Sequence, residues 1–436
     1  MHFKPAEFKR RRKELMRRIG KQSIAIVAAA PEKIRNRDAD YAYRPDSDFY
    51  YLTGFAEPEA IAVFVPGRKE GQFIIFCREK NPEMETWTGR RVGVKAAPKT
   101  LEADEAWPID KADELIPQLL QDRHQVFVSF GNDQDFDTRM IKWINGVRRL
   151  SRSGVHAPQH LISLESVLHE MRLIKSPAES KVMHKAARIS AEAHCRAMQT
   201  CKPNLFEYEV EAELLHVFRK HGCETAYNSI VGGGDNACIL HYVENSDALH
   251  DGDLLLIDAG AELNFYASDI TRTFPVNGRF SPEQRQLYQL VLDANYAAIK
   301  EVRPGNHWNK PHETAVRVLT KGLVKLKLLK GKIETLIEKQ AYRKFYMHRT
   351  GHWLGMDVHD VGEYRINGKW RKLEPGMVLT VEPGLYIAHG TKGVHKKWWG
   401  IGIRIEDDVL VTKKGNQVLT EDVPKEVDEI EALMAR

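Results

Sequence analysis

No stretch of the 436-residue chain approaches the ~18 consecutive apolar residues that a membrane span requires, so no membrane association is expected. Its longest early apolar run, Ile24 to Ala30, fits a buried strand instead. Cysteine is scarce: Cys77, Cys195, Cys201, Cys223 and Cys238 make an odd count without a CxxC pair, which fits free thiols in a reducing cytoplasm. Charge of one sign is lacking too. With 65 Lys+Arg against 60 Asp+Glu the net charge is only +5, which excludes a dedicated nucleic-acid binder. Repeats and low-complexity segments are absent. The one basic cluster near the start, Lys9 to Lys13, is flanked by Glu7 and Glu14 with no apolar region after it. It therefore reads as a solvated amphipathic first helix rather than a targeting peptide.

What is present is an ordinary globular composition, 42% hydrophobic and 29% charged, enough to build a core and long enough for two or three domains. Short β-branched or aromatic runs at Ile24–Ala28, Ala60–Val65, Gln72–Phe76 and Gln125–Phe130 alternate with helical patterns such as Lys111–Gln121. This predicts a mixed α/β amino-terminal domain over residues 1–173, followed by a second domain over 174–436. Ser176-Pro177-Ala178-Glu179 opens that domain with an N-cap, a proline at the first helical position and a capping-box glutamate. Ser281-Pro282-Glu283-Gln284 repeats the signal, and further helices are expected over Phe206–His221 and from Pro311. The basic stretch Lys321–Lys344 has one aromatic residue, Tyr342, and offers no stacking platform for bases, so it reads as a solvated face.

The chemistry concentrates in the second domain. Leu254–Gly260 is an apolar run ending in Asp258, and a following strand carries Asp269. A two-residue turn at Leu263-Asn264 would set the two aspartates directly opposite each other, with Cβ atoms roughly 4.5–5.5 Å apart. Two carboxylates that close on an apolar strand demand either a shared proton or a cation. Val378–Glu382 and Ile401–Glu406 repeat the problem, with Glu382 and Glu406 on otherwise apolar strands. Three histidines, His348, His352 and His359, lie close together beside glycines, and His241 follows the glycines 232–234. There is no HExxH, so a zincin site is unsupported, and the glycine run lacks the Lys-Ser/Thr of a P-loop. Four carboxylates and an imidazole form an oxygen-rich set suited to manganese, or to cobalt, iron or zinc by availability. A pair of such ions makes a hydrolytic centre.

These residues resemble the aminopeptidase P (Xaa-Pro aminopeptidase) branch of the pita-bread metallopeptidases. The resemblance rests on IDAGAELNFYASDITRTFPVNGRFS, HRTGHWLGMDVHD, LEPGMVLTVEPGLYI and GIGIRIEDDVLV, and on YRPDSDFYYLTGF (Tyr43–Phe55) in the first domain. It implies an α+β pita-bread catalytic domain holding two Mn2+ per subunit (Co2+, Zn2+ or Fe2+ being alternatives). Asp258 would chelate one ion, Asp269 and Glu406 would bridge both, and His352 and Glu382 would bind the other. A hydroxide bridging the metals would attack the Xaa-Pro carbonyl of peptide substrates, with Glu382 shuttling the proton. His241 and His359 would position substrate and His348 would line the cleft, while Tyr386 and Arg404 would support the ligands. The resemblance also implies a homo-oligomer, a dimer or tetramer, in which Trp87 approaches a neighbour's substrate channel; a substrate contact by Arg152 is left open. Two other readings remain. A prolidase would share the ligands but cut only Xaa-Pro dipeptides, and a non-catalytic pita-bread binding module would lose the ligand set.

Overall fold

The computed structural model describes residues 3–435, and the chain divides into two compact units after Met171. The first is built on a six-stranded mixed sheet. Across it run Glu105–Pro108, Phe73–Cys77, Ile61–Phe64, Ser23–Ala28, Gln125–Val128 and His160–Ser163. The two central hairpin-like pairings are antiparallel, while the outer strands run parallel to their neighbours. Ile24, Ile26, Val63, Ile74 and Val126 bury one sheet face under Ile116 and Leu120 of the helix Ala112–Leu120 and Met140 and Trp143 of Gln134–Arg148.

The first helix, Pro5–Ile19, forms as expected but is not solvated throughout. Arg11 and Arg12 are buried. Arg12 donates to the carbonyls of Leu52 and Leu101 at 3.0 and 3.1 Å, and Arg11 donates to Tyr51 O at 3.1 Å while its guanidinium lies over the Tyr51 ring. The carbonyls belong to the ends of the helices Ser47–Thr53 and Ala97–Leu101 and make these burials favourable, because a guanidinium can satisfy several acceptors at once. Trp87, on the short helix Pro82–Thr88, is 81% exposed, and Arg152 sits exposed in the turn Ser151–Ser153.

The second unit combines helices with small antiparallel sheets. Helix Pro177–Thr200 packs on Glu207–Lys220, and Pro282–Glu301 packs on Lys310–Lys325. Both predicted capping boxes form: Ser176 and Ser281 each accept the N3 backbone N–H, and Glu179 and Gln284 each reach back to the cap. The strands that matter are Ile230–Gly233, Leu254–Asp258 and Thr271–Pro275 in one sheet, Val378–Val381 with Asp407–Val411 in another, and the pair Gly384–Ile387 with Ile401–Arg404. The basic side chains between Lys321 and Lys344 are all exposed.

The expected register around the aspartates is corrected. The turn falls on Asn264 and Phe265, both at positive φ (49° and 64°), so Leu263 pairs Tyr266 and Asp258 pairs Thr271 rather than Asp269. The displacement is two residues, a full strand period, so both aspartates stay on the same face, at a diagonal. Gly260 permits the close passage between them: a Cβ there would lie 1.7 Å from Ser268 O.

Candidate metal centre

Five side chains converge, four carboxylates from the ends of different strands and His352 from a loop. Asp258 closes Leu254–Asp258, and Asp269 precedes Thr271–Pro275. Glu382 follows Val378–Val381, with its N–H donating to Thr350 O at 2.9 Å. Glu406 sits between Ile401–Arg404 and Asp407–Val411, its N–H donating to Thr271 O at 3.0 Å. His352 is pinned by reciprocal bonds: its N–H donates to Thr380 Oγ1 at 3.1 Å, and its carbonyl accepts from Thr380 N at 3.0 Å. Donor atoms of Asp269, His352 and Glu406 all lie within 4.8 Å of one another. Glu382 Oε1 is 3.8 Å from His352 Nε2, while Asp258 joins Asp269 through the Tyr227 hydroxyl, 2.7 and 2.5 Å from their respective Oδ1 atoms. All five line a cavity of about 550 Å³.

The proton inventory favours a cation at this place. His352 Nδ1 faces the carbonyl of Trp353 at 2.9 Å, which can only accept, so Nδ1 carries the proton. Its Nε2 faces Asp269 Oδ2, 3.4 Å away, and holds a second proton there unless a cation takes the lone pair. One phenol proton on Tyr227 likewise cannot serve two carboxylates. Burial and neighbouring carboxylates push Glu406 well above the usual range, burial lifts Glu382 to about 7, and burial raises Asp258 against the pull of Arg404. Burial alone would lower His352, but Asp269 and Glu382 overcome it and raise it to about 9. Asp269, by contrast, is lowered despite burial because His352 and Tyr227 bond to it. Such a set of buried like charges around an imidazole lone pair fits divalent cations as ligands.

Supporting contacts fix these donors. Arg404 donates to Asp258 Oδ2 at 2.6 Å, to Thr271 Oγ1 at 3.0 Å and to the Tyr386 hydroxyl at 3.1 Å. Thr271 in turn donates to Glu406 at 2.6 Å. The relay continues from the Tyr386 hydroxyl to His348 Nε2 at 2.8 Å, while His348 Nδ1 donates to Arg349 O at 2.7 Å. Burial pushes His348 down to about 3, so this ring is a neutral acceptor. His241 and His359 are exposed residues of the cavity wall, and the His359 ring stands edge-on to His352 at 4.4 Å. Buried Glu207 holds the loop that carries His241, accepting from Gly233 N, Asn236 Nδ2, the Tyr242 hydroxyl and Asp247 N at 2.7–3.1 Å.

Sequence reasoning missed Tyr227 and Arg349, which line this cavity, and buried Thr271, which bonds Glu406 and Arg404. The signal for Thr271 is its place two residues after Asp269 on the same strand face. Tyr227 carries no local signal, since only the fold brings it to the aspartates.

This arrangement is matched by what the chain is similar to. The profile described as metallopeptidase family M24 matches residues 181–413, and that of the aminopeptidase P N-terminal domain matches residues 8–128. The chain belongs to metallopeptidase family M24 and is a hydrolase with the pita-bread catalytic fold. Among its relatives is the Xaa-Pro aminopeptidase of Haemophilus influenzae, 47% identical over 98% of this chain and 97% of that protein. An aminopeptidase structure from Pseudomonas aeruginosa superposes with a TM-score of 0.99 at 56% identity, covering 100% of this chain and 98% of that one. Two structures of the Escherichia coli aminopeptidase P match with a TM-score of 0.97 at 45% identity, covering 100% of this chain and 99% of each. One is a glutamate-to-alanine variant in complex with substrate, the other a zinc-substituted form in complex with product.

Proposed function

We propose that the protein is an Xaa-Pro aminopeptidase, consuming one water to release the first residue of a peptide whose second residue is proline. The observation that carries this reading is the buried convergence of Asp258, Asp269, His352, Glu382 and Glu406 in a chain similar from end to end to enzymes of that name. Asp258 would hold one of two divalent cations, His352 and Glu382 the other, and Asp269 and Glu406 both; manganese is the proposed metal. When bound, these ions would supply Lewis acidity for carbonyl polarisation and water activation.

The chain's own residues do the rest. Glu382, at the cavity wall and in reach of His352, takes the proton of the attacking water and returns it to the prolyl nitrogen. Arg404 fixes Asp258, and through Tyr386 it orients His348. His241 and His359 face the space where a peptide lies and position the scissile bond. A prolyl nitrogen has no N–H, so a site that reads the ring rather than an amide proton suits it. The anionic end of the cavity at Asp258 suits the free α-amine, which restricts removal to one residue at a time.

The exposed Trp87 supports a homo-oligomer, dimer or tetramer, in which that side chain reaches the substrate channel of a neighbouring copy. No helix among the described residues is long and apolar enough to cross a membrane, and all five cysteines are unpaired, which supports a cytoplasmic site of action.

The test is incubation of the Mn2+-loaded protein with Arg-Pro-Pro and with Xaa-Pro dipeptides, products read by mass. Loss of arginine from the tripeptide, abolished by Glu382→Ala, is expected. Cleavage of dipeptides alone would establish a prolidase, and no cleavage of either would overturn the reading.

A further inference from the structure

One wall of the cavity mouth carries charge that the reaction does not use. Arg349 follows His348 and lines the cavity, yet it is exposed. Its guanidinium donates to Asn309 Oδ1, a neutral acceptor, and lies 5.2 Å from the Trp370 ring centroid. Arg365 lies over the same indole at 4.0 Å. The two come from separate segments. Arg365 and Trp370 face each other across the small hairpin Arg365–Ile366/Lys369–Trp370, whose turn places Asn367 and Gly368 at positive φ. Neither guanidinium forms an ion pair among the described residues. Glu313, whose charge acts on Arg349, is engaged elsewhere: it accepts from Asn309 Nδ2 at 2.8 Å and lies 3.8 Å from His307 Nε2. Two like charges are thus held on one aromatic ring beside a substrate cavity, with no anion between them. Stacking offsets part of the repulsion. A carboxylate would relieve the remainder and can be gripped by the planar fork of a guanidinium.

An exopeptidase that buries the substrate's amino end must let the rest of the peptide leave across the exposed part of the cavity wall. Arg349 lines that wall, and Arg365 stands beside it on the shared Trp370 ring. We propose that these two arginines, stacked on Trp370, form a subsite for a carboxylate on the departing portion of the substrate. This deepens the aminopeptidase reading above and rests on it. The carboxylate can be the C-terminus of a short peptide or an acidic side chain of a longer one, and both offer the same group to the same fork.

The experiment compares four peptides sharing an Arg-Pro start. One pair differs only in a free or amidated C-terminus on a tripeptide. The other pair carries Asp or Asn after proline with the C-terminus amidated. Wild-type enzyme is expected to favour the carboxylate member of at least one pair by roughly two- to five-fold in kcat/KM, the size of an exposed ion pair. The difference should sit in KM rather than kcat, as for binding energy expressed equally in ground and transition states. The pair that responds identifies the source of the carboxylate. Arg349→Met should bring the ratio toward one, and so, independently, should Arg365→Gln. Rising ionic strength should shrink the wild-type ratio, a readout that needs no variant to fold. Ratios near one in wild type, or ratios that neither substitution nor salt moves, overturn the subsite while leaving the aminopeptidase intact. If none of the four peptides is cut, the underlying reading fails and the subsite with it.

Discussion

Asp360 is the residue whose loss should be felt most sharply outside the metal centre. It follows His359 in the cavity-wall segment, and its side chain is 1% exposed. Its Oδ2 meets Lys175 Nζ at 2.8 Å, also 1% exposed, and its Oδ1 meets Arg172 Nη2 at 2.7 Å. Arg172 also reaches Asp357 at 2.6 Å, whereas Lys175 has only Asp360 among the described residues. Lys175 and Arg172 lower the Asp360 pKa against the effect of burial. The site is also packed tight, since a Cβ on Gly355 would lie 2.1 Å from Asp360 Oδ2. Asp360→Asn keeps the shape but leaves the Lys175 ammonium buried without a counter-charge. Removing one partner of a buried pair costs about 3–5 kcal/mol. For a unit of this size, at ~2–4 °C per kcal/mol, that is a melting point lower by about 6–20 °C. Thermal melts of wild type, Asp360→Asn, Lys175→Met and the double variant test it. The double variant, which has no stranded ammonium, should regain more than half of the loss. Because the folded pKa of Asp360 is depressed, its contribution is full above about pH 4 and is lost as pH falls through the lower folded value. A loss below ~1 kcal/mol in Asp360→Asn, or a double variant no better than the single, would refute the reasoning.

Two further outcomes are expected. In metal-stripped protein Glu382 titrates near 7 instead of 4.5, and His352 near 9 instead of 6.5. The folded state therefore holds protons that the unfolded chain has released. Stability falls as pH rises through about 4.5–7 for the glutamate and 6.5–9 for the histidine, so both run in the same direction. Melts of chelator-treated protein should fall from pH 5 to pH 8.5, and added Mn2+ should close most of that gap; a melting point that climbs over the same interval would contradict the site's electrostatics. Gly260→Ala would push a methyl against Ser268 O and spread the segments that carry Asp258 and Asp269. Calorimetric titration of that variant should show metal affinity reduced at least tenfold, and wild-type affinity would count against the close passage described.

Much of the site is legible in the sequence, because metal ligands on apolar strands violate the ordinary burial rule in a visible way. Asp258, Asp269, Glu382 and Glu406 each end or interrupt a run that would otherwise be core, and the capping boxes at Ser176 and Ser281 mark helix starts by local chemistry alone. The register is not legible there. Asn264 suits either turn position, and the fold uses it as the first of two left-handed residues with Phe265 as the second, a side chain that local propensity would not place there. The buried arginines of the first helix escape sequence reasoning for a related cause. KRRRK is solvated by default, and only tertiary placement of the Leu52 and Leu101 carbonyls makes burial of Arg12 favourable. Tyr227 gives no sign of its role because its meaning depends on two aspartates that lie far along the chain.

The central claim is that a crowded acidic pocket is built to hold paired cations. Crystals grown with Mn2+ and measured at a wavelength with manganese anomalous signal test it most directly. Two peaks should appear, each touched by Asp269 and Glu406, one also by Asp258 and the other also by His352 and Glu382. Density with no peak among these five residues, or peaks confined to the protein surface, would contradict the account.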